Sequence, residues 1–96
     1  MKTFHDWSHA LYFELMNGEI HIHDTVALLE DLPARHFLTG DALVLRRGQV
    51  GTVVMTYDGS AFEVEFSGRD GRAYAVLPVK AEKLIALRES PEIVTA

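Results

Sequence analysis

From Arg46 to Phe66 the chain reads RRGQVGTVVMTYDGSAFEVEF, and its apolar and polar positions follow a β period. Phe62, Val64 and Phe66 alternate with Glu63 and Glu65, which is the pattern of a strand with one face buried. Val53, Val54 and Met55 carry β character ahead of it, and Asp58-Gly59 supplies the reversal between the two runs. This predicts strands at about Val50 to Tyr57 and Ala61 to Phe66. A third is expected at Ala73 to Pro78, after a polar turn that holds Gly68 and Gly71. Pro78 to Glu82 reads as a single helical turn and Lys83 to Leu87 as a last short strand.

Upstream, Ile20 to Leu28 is expected to open the body as a strand, with Ile20 and Ile22 facing in and His21 and His23 facing out. Thr25 to Leu29 continues it, and Leu32-Pro33 ends it. Ala34 to Gly48 reads mostly as connection, with a possible short strand at Ala42-Leu43-Val44-Leu45. Five or six short strands joined by tight turns indicate an all-β chain, a small antiparallel barrel closed to limit exposed edges. The body spans about 19–87, and a tail follows over 88–96.

Residues 1–18 form an arm with two readings. As a helix, Thr3 caps it, Asp6 sits near the positive end of the dipole, and Phe4, Trp7, Leu11 and Leu15 make one stripe. Asn17-Gly18 then stops it. The rival takes Asn17-Gly18 as a hairpin turn that pairs Tyr12–Met16 with Glu19–His23. The helix is the preferred reading. In either form Phe4, Trp7, Leu11, Tyr12 and Leu15 are a large apolar load for a terminal segment. They fold back over the barrel or anchor a second copy or partner.

At 96 residues the chain has room for one modest core, so association is a natural way to cover leftover apolar surface. With no cysteine, disulfides, thiol chemistry and cysteine-ligated zinc are excluded. A formal charge of -5 argues against nucleic acid or anionic membrane as the main partner. The start MKTFHDWSHALYF lacks the apolar run of a secretory signal, and no stretch has the length of a membrane span, so a cytoplasmic location is expected.

Four runs of the body, Thr25–Pro33, Arg47–Val54, Phe62–Phe66 and Gly71–Ala75, together resemble the domain of unknown function 4926 family in order and spacing. The resemblance covers about residues 24–87. It implies a small bacterial domain with an SH3-like barrel, and it brings no catalytic residues. Phe37 to Val44 looks extra against that pattern, as does the arm.

Three groups of residues are candidates for chemistry. His5 and His9 share a face if the arm is helical, and His21 and His23 share one if they lie on a strand, with Asp24 beside them. Such spacings suit zinc or nickel, but solvent-facing polar residues are the simpler explanation, and no cofactor is assigned. Glu63 and Glu65 are two carboxylates on one strand face, with Arg72 or Arg47 as expected neighbours. No nucleophile accompanies them. Gly48-Gln49-Val50-Gly51, preceded by Arg46 and Arg47, is similar to the Gly-x-x-Gly turn of KOW-type SH3-like modules, which suggests RNA. The net acidity favours a purely conformational role for the glycines.

The function expected from these observations is a non-enzymatic protein-interaction module. It is expected to self-associate and to regulate or neutralise a partner protein. An RNA-binding module and a metal site at the N-terminal histidines are the alternatives.

Overall fold

A computed structural model describes residues 20–91, 93 and 94. Its elements in chain order are β1 (Thr25–Leu28), β2 (Leu32–Arg35), β3 (Ala42–Leu45), β4 (Val50–Tyr57), β5 (Ala61–Ser67), β6 (Ala73–Lys80), a 3-10 turn (Ala81–Lys83) and β7 (Leu84–Ala86). The expected arm, with both its helical and hairpin readings, lies outside the described residues.

The described residues are all-β and antiparallel apart from the 3-10 turn. Five strands run in the order β6-β5-β4-β1-β7, and β2 and β3 form a separate two-stranded hairpin. A meander of three strands, a first strand paired with the last, and a 3-10 turn before that last strand make the SH3-like arrangement. The hairpin closes over one end of the five-stranded sheet, where the Phe37 N–H donates to the Tyr74 carbonyl of β6 at 2.9 Å.

The core is apolar throughout. Phe62, Val64 and Phe66 of β5 point inward and meet Val26 and Leu28 of β1, Val53 of β4, Ala75 and Val79 of β6, and Leu84 of β7. Leu32 and Leu45, opposite one another in the hairpin, join the same cluster with Ile20. No polar or charged side chain among the described residues is buried. Alternation along β4 is interrupted where the register shifts between Val53 and Met55. Val54 is the extra residue of this bulge, which lets the strand bend and sends Met55 and Tyr57 to the outer face. Asp58 (φ 45°) and Gly59 (φ 83°) both take the left-handed conformations that a primed hairpin turn requires.

Three expectations are corrected. The first strand begins at Thr25, because Ile22 and His23 form a turn. Asp24 Oδ2 accepts the His21 N–H at 2.8 Å, the Asp24 N–H returns to the His21 carbonyl at 3.1 Å, and His23 sits at φ 77°. A local carboxylate bonding to the backbone here prevails over the alternating pattern. As a result Ile20 is buried but Ile22 is 44% exposed. Second, Leu32-Pro33 opens a strand. From the His36 N–H to Asp41 carbonyl bond (2.8 Å), antiparallel alternation makes Ala34/Leu43 and Leu32/Leu45 the bonded pairs of the hairpin. Pro33 lies opposite Val44 at a non-bonded position, so its missing N–H costs the ladder nothing. Third, β6 runs through Pro78 to Lys80, and the helical turn falls at Ala81–Lys83.

Candidate interaction surface on the β2–β3 hairpin

The residues that connect β2 to β3 form a tightly bonded tip. Gly40 N–H donates to the His36 carbonyl at 2.8 Å, and Arg35 Nη1 donates to the Gly40 carbonyl at 2.9 Å. The His36 imidazole accepts from the Leu38 N–H at 3.2 Å and the Thr39 N–H at 3.4 Å through Nδ1, which fixes the tautomer with its proton on Nε2. Thr39 Oγ1 accepts from the Asp41 N–H at 3.2 Å. The His36 and Phe37 rings stack with planes 9° apart.

What this framework displays is apolar. Phe37 is 53% exposed and Leu38 76% exposed. Beside the tip, Pro33, Ala34, Arg35, Ala42, Leu43 and Val44 line a shallow open groove. Large apolar side chains held rigidly in water, with the backbone beneath them already hydrogen-bonded, lose little entropy on docking to a partner. The sequence marked Phe37 to Val44 as unusual but did not show the exposure. The only local signal was an apolar Phe-Leu pair directly before Thr39-Gly40-Asp41.

The base of the hairpin is tied by Asp31. Its Oδ1 accepts the Arg47 N–H at 2.7 Å and its Oδ2 accepts from Arg46 Nη1 at 3.1 Å. The bond from the Arg47 backbone, then that from the Arg46 side chain, holds this carboxyl below its ordinary value. The clasp therefore operates above the usual carboxylate range and is lost as pH falls through the lowered value.

The same carboxylate bears on the Gly48–Gly51 turn. Gly48 takes φ 89°, and its N–H donates to the Leu28 carbonyl at 2.7 Å, while Gln49 bonds to the Tyr74 hydroxyl. Gly51 is buried, and a Cβ there would lie 2.7 Å from Val64 Cγ1 and 3.0 Å from the Glu65 carbonyl oxygen. Both glycines are explained by backbone geometry. A phosphate approaching Arg46 and Arg47 meets Asp31 at the same place, which weakens the electrostatic footprint an RNA site needs.

The other candidate residues are dispersed. His21 and His23 lie in the turn before β1 and not on a strand face, and His21 Nδ1 is 3.7 Å from Asp24 Oδ2. Among the described residues no three histidines or carboxylates gather as metal ligands. His5 and His9 lie outside the described residues, as do Phe4, Trp7, Leu11, Tyr12 and Leu15. Glu63 and Glu65 face outward on β5, where their β6 neighbours are Pro78 and Val76, not an arginine. The partner of Glu63 is Tyr57, whose hydroxyl donates to Glu63 Oε1 at 2.6 Å.

That bond raises the Tyr57 phenol above its ordinary 10.0, with desolvation and the Glu63 charge adding to it. A raised folded-state value means the contribution to stability is whole below the ordinary value and is lost as pH climbs through the raised one. Following the Tyr57 ring by NMR through an alkaline titration should place its midpoint above that of a free tyrosine. Glu63→Gln should bring it down, and an unchanged midpoint would show that the contact has no electrostatic weight.

A family model described as Domain of unknown function (DUF4926) matches residues 22–86. The chain belongs to the DUF4926 family. The match takes in every strand, including the hairpin and its apolar tip. No curated protein and no solved structure matches the chain at a significant level. Among the described residues, no helix is long and apolar enough to cross a membrane.

Proposed function

We propose that this DUF4926 protein is a non-enzymatic interaction module that engages a partner protein through the tip of its β2–β3 hairpin. The observation that carries this reading is the pairing of exposed Phe37 and Leu38 with a loop in which every N–H from His36 to Asp41 is hydrogen-bonded. Aromatic and aliphatic anchors on a rigid support are what dominate binding energy at protein interfaces. A concrete form of the proposal is regulation or neutralisation of a small partner, as an antitoxin or immunity protein does. The net charge of -5 favours a basic partner.

The test is native mass spectrometry of the untagged full chain purified from its own source, alongside the double variant Phe37→Ser/Leu38→Ser. The wild type should retain a second polypeptide and the variant should lose it, with its melting temperature lowered only slightly, because Leu38 is 76% exposed and Phe37 loses only its half-exposed stack on His36. Equal retention by both, or no retained polypeptide, would overturn the reading.

A further inference from the structure

The hairpin has a second open feature, its β3 edge. The alternation set by the His36–Asp41 bond turns the N–H and C=O of Leu43 and Leu45 toward β2, and those of Ala42 and Val44 away from it. The far side of β2 is occupied by β6, through the bond from Phe37 to Tyr74. The far side of β3 has no strand beside it among the described residues. Ala42 and Val44 therefore present two donors and two acceptors in a row, at a strand whose four residues carry no charge and no proline. Such an edge is a template for pairing with another strand.

The groups beyond these two residues are already used. The Asp41 carbonyl accepts from His36, the Arg46 N–H donates to Gln49 Oε1 at 3.1 Å, and the Arg46 carbonyl accepts from the Gln49 N–H at 2.9 Å. The open stretch is therefore short and bounded, and its pattern is self-complementary. If two β3 strands meet antiparallel about a two-fold axis at Leu43, Ala42 of each copy faces Val44 of the other. Every open donor then finds an open acceptor, with none left over.

We infer that a second copy of this chain occupies this edge, forming a two-fold dimer with a continuous β2–β3–β3–β2 layer. The side chains agree with that register. Leu43, half-buried in one chain, meets its own counterpart at the axis in a non-bonded pair, where side chains lie closest. On the outer face Pro33, Ala42 and Val44 of both copies, all exposed in the single chain, form one apolar strip. The residues that flank β3 in the sequence, Asp41 before it and Arg46 after it, are of opposite sign, so an antiparallel pairing brings the acidic end of one copy toward the basic end of the other. The contact is isologous and closes on itself, so it yields dimers and not fibres. This inference does not rest on the tip reading, since Phe37 and Leu38 lie off the edge.

Sedimentation equilibrium of the full chain at submillimolar concentration, with amide hydrogen exchange, tests it. The wild type should be a dimer with the Ala42 and Val44 amides protected. Val44→Pro removes an N–H that makes no bond within the chain, just as Pro33 opposite lacks one. It deletes two intermolecular bonds per dimer and should weaken association roughly 10–100-fold. Val44→Lys, which leaves the backbone intact at a side chain 58% exposed, should also yield folded monomer. Phe37→Ser/Leu38→Ser should remain a dimer. A monomeric wild type, a dimer that persists in both Val44 variants, or a dimer lost in the tip variant would overturn the inference.

Discussion

Gly51→Val should leave the protein largely unfolded, and Gly51→Ala should be measurably weaker. Gly51 lies in β4 beneath β5, and even a single added carbon would sit 2.7 Å from Val64 Cγ1, 2.9 Å from Phe66 Cε1 and 3.0 Å from the Glu65 carbonyl oxygen. Val64 and Phe66 are fully buried, so neither has empty space to enter, and the carbonyl belongs to the neighbouring strand. Overpacking of this kind costs about 1–3 kcal/mol for one or two carbons. The smaller backbone entropy loss of alanine returns only about 0.5–1 kcal/mol. For valine the cost should reach about 3 kcal/mol or more, a large share of the stability of a small domain. Urea denaturation of the two variants checks this. Wild-type midpoints for both would mean that β4 and β5 separate easily there.

Phe66→Ala is the complementary experiment and should cost about 3–5 kcal/mol. Phe66 is fully buried at the end of the inward row of β5, beside Ala75 of β6 and over the backbone of Gly51. These neighbours are small, so the barrel has little side chain with which to fill the cavity. The two sites share a contact, so their effects should not add. Gly51→Ala should be less damaging when Phe66 is already alanine, because one of its three clashes is gone. It should still not be neutral, because Val64 Cγ1 and the Glu65 carbonyl oxygen remain. A double-mutant cycle that closed to zero would show the contact to be energetically idle.

The strands of the meander were legible because three signals coincide there. Phe62, Val64 and Phe66 alternate with carboxylates, Asp58-Gly59 matches a primed turn, and β-branched residues crowd β4. The sequence failed where one local bond outweighs a pattern. Ile20-His21-Ile22-His23 alternates like a strand, yet the Asp24 carboxylate and the positive φ of His23 turn it into a corner. Pro33 looked like an ending because a proline removes a donor. Whether that donor was needed depends on which edge of the ladder it faces, and this is a property of the register. The apolar tip was less accessible still. Phe37 and Leu38 have the composition of a core strand, and only the bonds from His36, Arg35 and Thr39 show that they stand outside it. The arm residues selected from the sequence, Phe4, Trp7, Leu11, Tyr12 and Leu15, lie outside the described residues.

The Asp31 clasp has a consequence for how this scaffold can be altered. One carboxylate grips the chain just before the hairpin leaves the barrel and just after it returns, across 15 and 16 residues. The ends of the excursion are thus fixed independently of what lies between them. Closing a longer excursion over a fixed base adds only about 0.6 kcal/mol per doubling of length. The hairpin beyond its core-packed Leu32 and Leu45 is accordingly an exchangeable cartridge. Its length and tip chemistry can drift among descendants, or be replaced by a designer, while the fold beneath is left undisturbed.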